Sequence, residues 1–256
     1  LNKKFFILGT GTDAYFWKYK EMALRYNPLD DFLKYDVKRK SHYMQSDKSF
    51  KYNTRIVGSS NGLIPVIYEY EACYKTSSKR LKTIPIPINL KSITKQENII
   101  KDKIIIFHGL TRYGFKGTRH VENAFKILQA KYSNHLELII DGKMPLEDYL
   151  DIMKKTNIVI DQTNSYSLGM NGLFALAMGK VVLGGAEKES LQSLRVNETP
   201  VINIMPCAES IVSAIEGLIK DKEKILTLGE EGRRFVEKNH CSVKIAKEYE
   251  KTWNAN

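Results

Sequence analysis

From about residue 101 onward, short apolar runs rich in β-branched residues alternate with segments whose apolar positions recur at helical spacing. The runs cover residues 103–107, 136–140, 157–161, 181–183 and 200–204. Between them, Leu146, Tyr149, Leu150 and Met153 mark one helical face, and Ile211, Ile215, Leu218 and Ile219 mark another. Strands separated by helices predict βαβ units, hence a parallel sheet covered on both faces. Residues 170–178 are apolar nearly all round, which predicts a buried helix.

The first 90 residues are less regular. Residues 4–8 read as a strand feeding Gly9-Thr10-Gly11-Thr12-Asp13. Residues 55–58 read as a second strand ending at Ser59-Ser60, with a helix-like stretch at 64–74 behind it; residues 31–53 are polar and weakly patterned. Pro85 and Pro87 fix φ and keep their preceding residues out of the α region, so residues 83–89 are extended and suit a crossing between domains. Residues 221–238 and 242–253 read as two helices with a break near Asn239-His240, the second carrying Val243, Ala246, Tyr249 and Trp253 on one side. The second half is thus a Rossmann-like α/β domain of residues 93–238. Residues 1–92 form a partial N-terminal α/β domain, and residues 239–256 a terminal helix packing back on it.

Composition narrows the class. Hydrophobic residues at 43% and charged residues at 27% are ordinary for a globular protein of 256 residues, and no apolar run reaches the roughly 18 residues of a membrane span. The opening at Leu1 is not a signal peptide and resembles a chain cut partway through a domain. Cys73, Cys207 and Cys241 lie far apart without a C-x-x-C pair, which fits reduced thiols in a cytoplasmic protein better than a disulfide framework or zinc site. Lys and Arg exceed Asp and Glu by 40 to 29, giving +11. That excess attracts anions, but no nucleic-acid-binding signature accompanies it, so nucleic acid is not expected as a partner.

Two loops could carry chemistry. The run at 103–107 ends in His108-Gly109-Leu110-Thr111-Arg112, followed by Gly114-Phe115-Lys116-Gly117-Thr118. In open α/β sheets ligands bind beyond the carboxyl ends of the strands. A Gly-bearing loop there, with Arg112 and Lys116, suits a diphosphate: glycine lets backbone approach, and the cations neutralise it. His108, at the strand end, is a further candidate for ligand contact. The run at 157–161 leads through Gln162, Thr163, Asn164, Ser165, Tyr166 and Ser167 to a helix opening near Gly169-Met170-Asn171. A helix start offers unpaired N–H groups to an anion; Ser165 or Ser167 could equally be no more than a helix cap.

Three further landmarks follow in order: Lys116-Gly117-Thr118; Phe174-Ala175-Leu176-Ala177-Met178-Gly179-Lys180-Val181-Val182; and Gly229-Glu230-Glu231-Gly232-Arg233-Arg234-Phe235-Val236. With them, residues 109–253 resemble the C-terminal donor-binding domain of GT-B glycosyltransferases of the family 4-like group. The resemblance implies that Lys116, with Arg112, holds the diphosphate of a nucleotide-sugar donor. Gly109, Ser165, Ser167, Gly169, Met170 and Asn171 would line the same donor site. The family's Glu-(seven residues)-Glu pair falls at Tyr166 and Phe174, neither of them acidic; Asp161, Gln162 and Glu189 are the nearest polar substitutes by position. Gly11-Thr12-Asp13 resembles a loop that faces the acceptor in related enzymes, which implies an acceptor-side role for Asp13. A complete acceptor domain would need roughly 80–100 more residues.

The expectation is a hexosyltransferase of bacterial surface-polysaccharide synthesis, independent of metal and of any cofactor beyond its nucleoside-diphosphate-sugar substrate. No Asp-x-Asp triplet occurs. The acceptor would be a glycan or lipid-linked, met at the inner face of the membrane, where a basic surface contacts anionic lipid peripherally. Two rivals stand beside it. A non-catalytic nucleotide-sugar-binding protein is favoured by Tyr166 and Phe174. An NAD-dependent oxidoreductase is suggested by Gly9-x-Gly11-x-x-Ala14 after a strand, with Asp30 or Asp31 near the spacing of the ribose-binding acid.

Overall fold

The computed structural model describes residues 4–34, 44–110 and 113–256. Among these residues two parallel sheets organise the chain. In the small sheet, β1 (Phe6–Gly9) pairs with β2 (Gly62–Pro65), and α1 (Ala14–Ala23), α2 (Leu29–Lys34) and α3 (Asp47–Ser59) lie between them in sequence. Residues 55–58, expected as a strand, are the last part of α3. Ser46 starts that helix by accepting the Ser49 N–H at 3.1 Å, a side-chain cap that satisfies one orphan amide. Val57 is the residue α3 buries, so the β-branched pair Ile56-Val57 straddles the edge of an amphipathic helix. The strand here is β2, which takes the first two residues of the helix-like stretch at 64–74, and the helix α4 (Tyr68–Cys73) fills the latter part of that stretch.

The large sheet is built from β3 (Ile104–Gly109), α5 (Thr118–Tyr132), β4 (Leu136–Asp141), α6 (Leu146–Lys155), β5 (Ile158–Ile160), α7 (Met170–Ala177), β6 (Val181–Gly184), α8 (Lys188–Leu194) and β7 (Ile202–Asn203). Helices α9 (Ala208–Lys220), α10 (Glu223–Asn239) and α11 (Ser242–Ala255) follow. All strand pairs are parallel, in the order β4-β3-β5-β6-β7. Alternation along each strand splits the core into two layers. Ile104, Ile106, Ile158, Ile160, Val181 and Leu183 face α5 and α9. Phe107, Val159 and Val182 face the other way, onto α7, Met153 of α6 and Val236 of α10. Helix α7 is buried along most of its length, as its all-round apolarity required, with Met170 exposed at its start.

Two crossings join the sheets. Residues 84–89 run extended past Pro85 and Pro87, and the chain returns at His240-Cys241. A parallel bridge ties the crossings: Ile88 N donates to His240 O at 2.7 Å and Ser242 N to Ile88 O at 3.0 Å. Helix α11 then buries Ile245 against Ile64 and Ile84, with Tyr249 beside them and the Trp253 ring 6.4 Å from Phe6. Its inward face is therefore led by Ile245 and Tyr249, and Val243 and Ala246 point to solvent.

Candidate functional site

The connection β3–α5–β4 steps one way along the large sheet, and β4–α6–β5 returns past β3 to its other side. Strand order therefore reverses between β3 and β5, leaving a crevice at their carboxyl ends, where neighbouring connections diverge. The two loops singled out in the sequence are the ones that leave β3 and β5 there.

They converge. Lys116 Nζ donates to Gly109 O at 3.2 Å and lies 3.7 Å from Asp161 Oδ1. Asp161, 1% exposed, accepts the Gly169 N–H through Oδ2 at 2.7 Å, and its Oδ1 has no hydrogen-bond partner. One buried carboxylate thus tethers the lysine on one side and the start of α7 on the other. Gly117 caps α5 with φ 69° and sits hard against Thr163, so that a Cβ there would lie 2.0 Å from Thr163 Oγ1. That close approach and left-handed φ both require glycine. Thr163 N donates to Lys116 O at 3.0 Å, locking the loops together. A Cβ on Gly109 would stand 2.9 Å from Asn171 Nδ2, and Asn171 Oδ1 accepts from the Tyr149 hydroxyl at 3.2 Å. Gly109, Lys116, Gly169 and Asn171 therefore meet at the carboxyl ends of β3 and β5, with the exposed Met170 beside them. Arg112 lies outside the described residues.

Other expected residues are occupied differently. His108 is fully buried: its Nδ1 is 2.9 Å from Ile160 O and its Nε2 is 3.0 Å from Thr118 Oγ1. Burial pushes its pKa down to about 4. It is a neutral core residue fastening β3 to β5 and α5, not a ligand contact. The N-cap of α7 is Gly169, so neither Ser165 nor Ser167 caps it. Asp13 caps α1, accepting the Phe16 N–H at 2.9 Å, and its other oxygen accepts the Tyr74 hydroxyl at 2.6 Å. Burial raises its pKa, against the pull of those hydrogen bonds. Glu189 pairs with Arg25, which also reaches Glu187 at 2.8 Å. The dinucleotide pattern is not completed: β2 ends in Pro65, and Asp30 and Asp31 lie in the first turn of α2, with Asp31 paired to Arg119 at 3.2 Å.

Two residues tie the small-sheet part to the loop after β5: Glu69, which sequence reasoning did not place, and Tyr166, singled out there only as a position of the glutamate pair. Glu69 of α4, 1% exposed, reaches into the loop after β5. Its carboxylate accepts from the hydroxyl of Ser165, from Tyr166 N at 2.9 Å, from Ser167 N at 3.1 Å and from Ser167 Oγ at 2.7 Å. Tyr166, also 1% exposed, stacks on Tyr26 with centroids 4.9 Å apart and lies 5.2 Å from Tyr68. Its hydroxyl accepts the Arg25 N–H at 2.7 Å. Phe174 packs in the core layer around α7, 6.5 Å from the Tyr149 ring. Among the described residues, no group of three or more His, Cys, Asp or Glu is placed to hold a metal ion. No helix among them is long and apolar enough to cross a membrane.

No family model and no curated protein matches the chain. Solved structures do. Sucrose-phosphate synthase from Thermosynechococcus elongatus superposes with a TM-score of 0.59 at 17% identity, over 88% of this chain and 66% of that one. HepE of Anabaena, in complex with UDP and glucose, gives 0.63 at 14% identity over 82% and 68%. TarM gives 0.62 at 13% over 86% and 48%. The fold is GT-B. This GT-B chain thus spans 66% of the synthase and 48% of TarM, and at such identities the likeness is one of fold. The contacts of Lys116 with Gly109 and Asp161, and of Asp161 with Gly169, are features of its own coordinates. So is the aromatic character of Tyr166 and Phe174, where the family 4-like pattern has its glutamates.

Proposed function

We propose that this chain binds a nucleoside-diphosphate sugar in the crevice at the ends of β3 and β5 and transfers its hexose to a glycan or lipid-linked acceptor. The observation that carries the reading is the convergence of Lys116 with the first turn of α7 through Asp161, at the strand-order reversal of a GT-B fold. Lys116 would neutralise the diphosphate. The α7 amides at Gly169, Met170 and Asn171 would donate to phosphate or sugar oxygens, with Gly109 allowing close approach and Arg112 as a second cation. Departure of a nucleoside diphosphate builds negative charge, and a fixed ammonium and a helix N-terminus stabilise that charge without requiring a metal. The division we propose is an acceptor-side unit of residues 1–92, with Asp13 on that side, a donor unit of 93–238 and a terminal helix of 239–256. A role in surface-polysaccharide synthesis at the inner face of a membrane fits the basic charge of +11.

A second reading has its own support. With Tyr166 and Phe174 in place of the glutamates, the chain could bind nucleotide sugar without turning it over. Incubation with radiolabelled UDP-, GDP- and ADP-hexoses separates the two. Sugar release or transfer that Lys116→Ala abolishes supports the transferase, and tight nucleotide binding without turnover supports the binder. Absence of any nucleotide binding would remove both.

A further inference from the structure

The loop after β5 already holds an anion, and that anion belongs to the protein. Glu69 comes from α4, beside the small sheet, 96 to 98 residues before its partners in the sequence. Two adjacent amides and two hydroxyls converge on it, and none of the ion pairs among the described residues includes Glu69. Its charge is therefore met by neutral donors alone. Successive backbone N–H groups flanked by hydroxyls form a receptor that suits phosphate oxygens as well as a carboxylate. The receptor lies on the same loop as the crevice: Gln162 Nε2 donates to Ser165 Oγ at 3.0 Å and to Ser167 O at 3.1 Å, and Asp161 and Gly169 stand at the loop's two ends.

We propose that Glu69 is an internal latch: its carboxylate fills the anion receptor of Ser165, Tyr166 and Ser167, and a diphosphate ligand gains those donors only when α4 withdraws. The inference rests on the nucleotide-sugar reading for the identity of the incoming anion, not for the latch itself. Withdrawal also parts the ring contact of Tyr68 with Tyr166, centroids 5.2 Å apart, together with polar contacts that water can replace. Arg25, 55% exposed in its side chain, leaves Glu187 and Glu189, and Glu71 of α4 leaves the Ser193 hydroxyl. A receptor occupied by its own protein binds a ligand more weakly by the fraction of molecules in which it is open.

The test uses the full chain and three probes, UDP, GDP and ADP, in calorimetry, with amide hydrogen exchange of the 165–167 loop alongside. Glu69→Gln keeps the size and removes the charge. Arg25→Ala loosens the contact from an exposed position; its guanidinium lies over the Tyr166 ring, 4.9 Å from the centroid, but bonds none of the four groups that donate to Glu69, so the proposal stays testable should E69Q fail to fold. Both variants are expected to tighten nucleoside-diphosphate binding by at least about fivefold. In E69Q the Tyr166 and Ser167 amides should exchange faster than in the parent, and added ligand should protect them again. Unchanged or weaker binding in both variants would overturn the latch and leave Glu69 as a fastening of the loop. Should no variant bind any of the three nucleotides while inorganic pyrophosphate still protects the loop of E69Q, the nucleotide-sugar reading fails and the latch stands. Exchange unaffected by E69Q and by pyrophosphate sinks the latch alone.

Discussion

Removing Tyr166 should cost stability in two separable amounts. Tyr166→Phe keeps the ring between Tyr26 and Tyr68 and takes away one oxygen, which accepts the Arg25 N–H at 2.7 Å. The amide is left without its partner, a loss of about 1–2 kcal/mol. Tyr166→Ala also empties a ring's volume from the cluster of Phe16, Trp17, Tyr26 and Phe115, raising the cost to about 3–5 kcal/mol. At about 2–4 °C per kcal/mol for a chain of this size, the melting temperature falls by about 2–8 °C for Phe and by more for Ala. Urea unfolding followed by tryptophan fluorescence reads the effect directly, because Trp17 is 6% exposed within the same cluster. If the small sheet unfolds in a transition of its own, the loss belongs to that first transition. A Phe variant within about 0.5 kcal/mol of the parent, together with an Ala variant costing under about 1 kcal/mol, would refute the view that this position joins the sheets. The same geometry implies that Tyr166→Glu restores nothing, since its carboxylate would be buried among aromatic rings.

Three further outcomes are expected. Lys116→Ala should weaken nucleoside-diphosphate binding in calorimetry by about 1.5–3 kcal/mol, the value of a charge-assisted hydrogen bond; unchanged affinity counts against the site. Gly117→Ala meets both a positive φ and Thr163 at 2.0 Å and should destabilise by about 2–4 kcal/mol, whereas Gly217→Ala, in the interior of α9 with nothing within 4 Å, should stabilise by about 0.5–1 kcal/mol in the same denaturation assay. His108 and His240 are both held near pKa 4 by burial, below the ordinary 6.5. Between those values the unfolded chain takes up protons that the folded one refuses, so stability falls as pH drops from about 6.5 toward 4, by up to about 3 kcal/mol per histidine. His108→Gln should flatten that slope in unfolding measurements between pH 7 and 5, and an unaltered slope would contradict the burial argument.

The large sheet was legible because its strands are short and mostly apolar, β4 keeping that character despite Glu137, and each is followed by a helical spacing; both signals survive without tertiary context. The small sheet was not. β2 is four residues, opening on Gly62 and closing on Pro65, too short to show alternation, and the adjacent Ile56-Val57 offered a stronger β-branched pair inside what is a capped helix. His108 carried a usable signal, since period two places it with Ile104 and Ile106 on a buried face. Its position at a strand end pointed the other way. The meeting of Lys116 with the start of α7 followed from the rule about strand ends. Asp161 as the common tether did not, because its two partners lie on separate loops. Glu69 had no local mark at all: a glutamate in the first turn of a short helix looks like a dipole partner, and the donors that hold it arrive nearly a hundred residues later.

The seating of α11 bears on the order in which the protein is made. Ile245 and Tyr249 complete the packing of Ile64, Ile84 and Phe6, residues that leave the ribosome far earlier. Until Ile245 and Tyr249 are made, the side of the small sheet that they cover lacks its partners, whereas the β3–β7 layer builds its core from residues of its own segment of the chain. The packing around Phe6, Ile64 and Ile84 is complete only once Ile245 and Tyr249 are present.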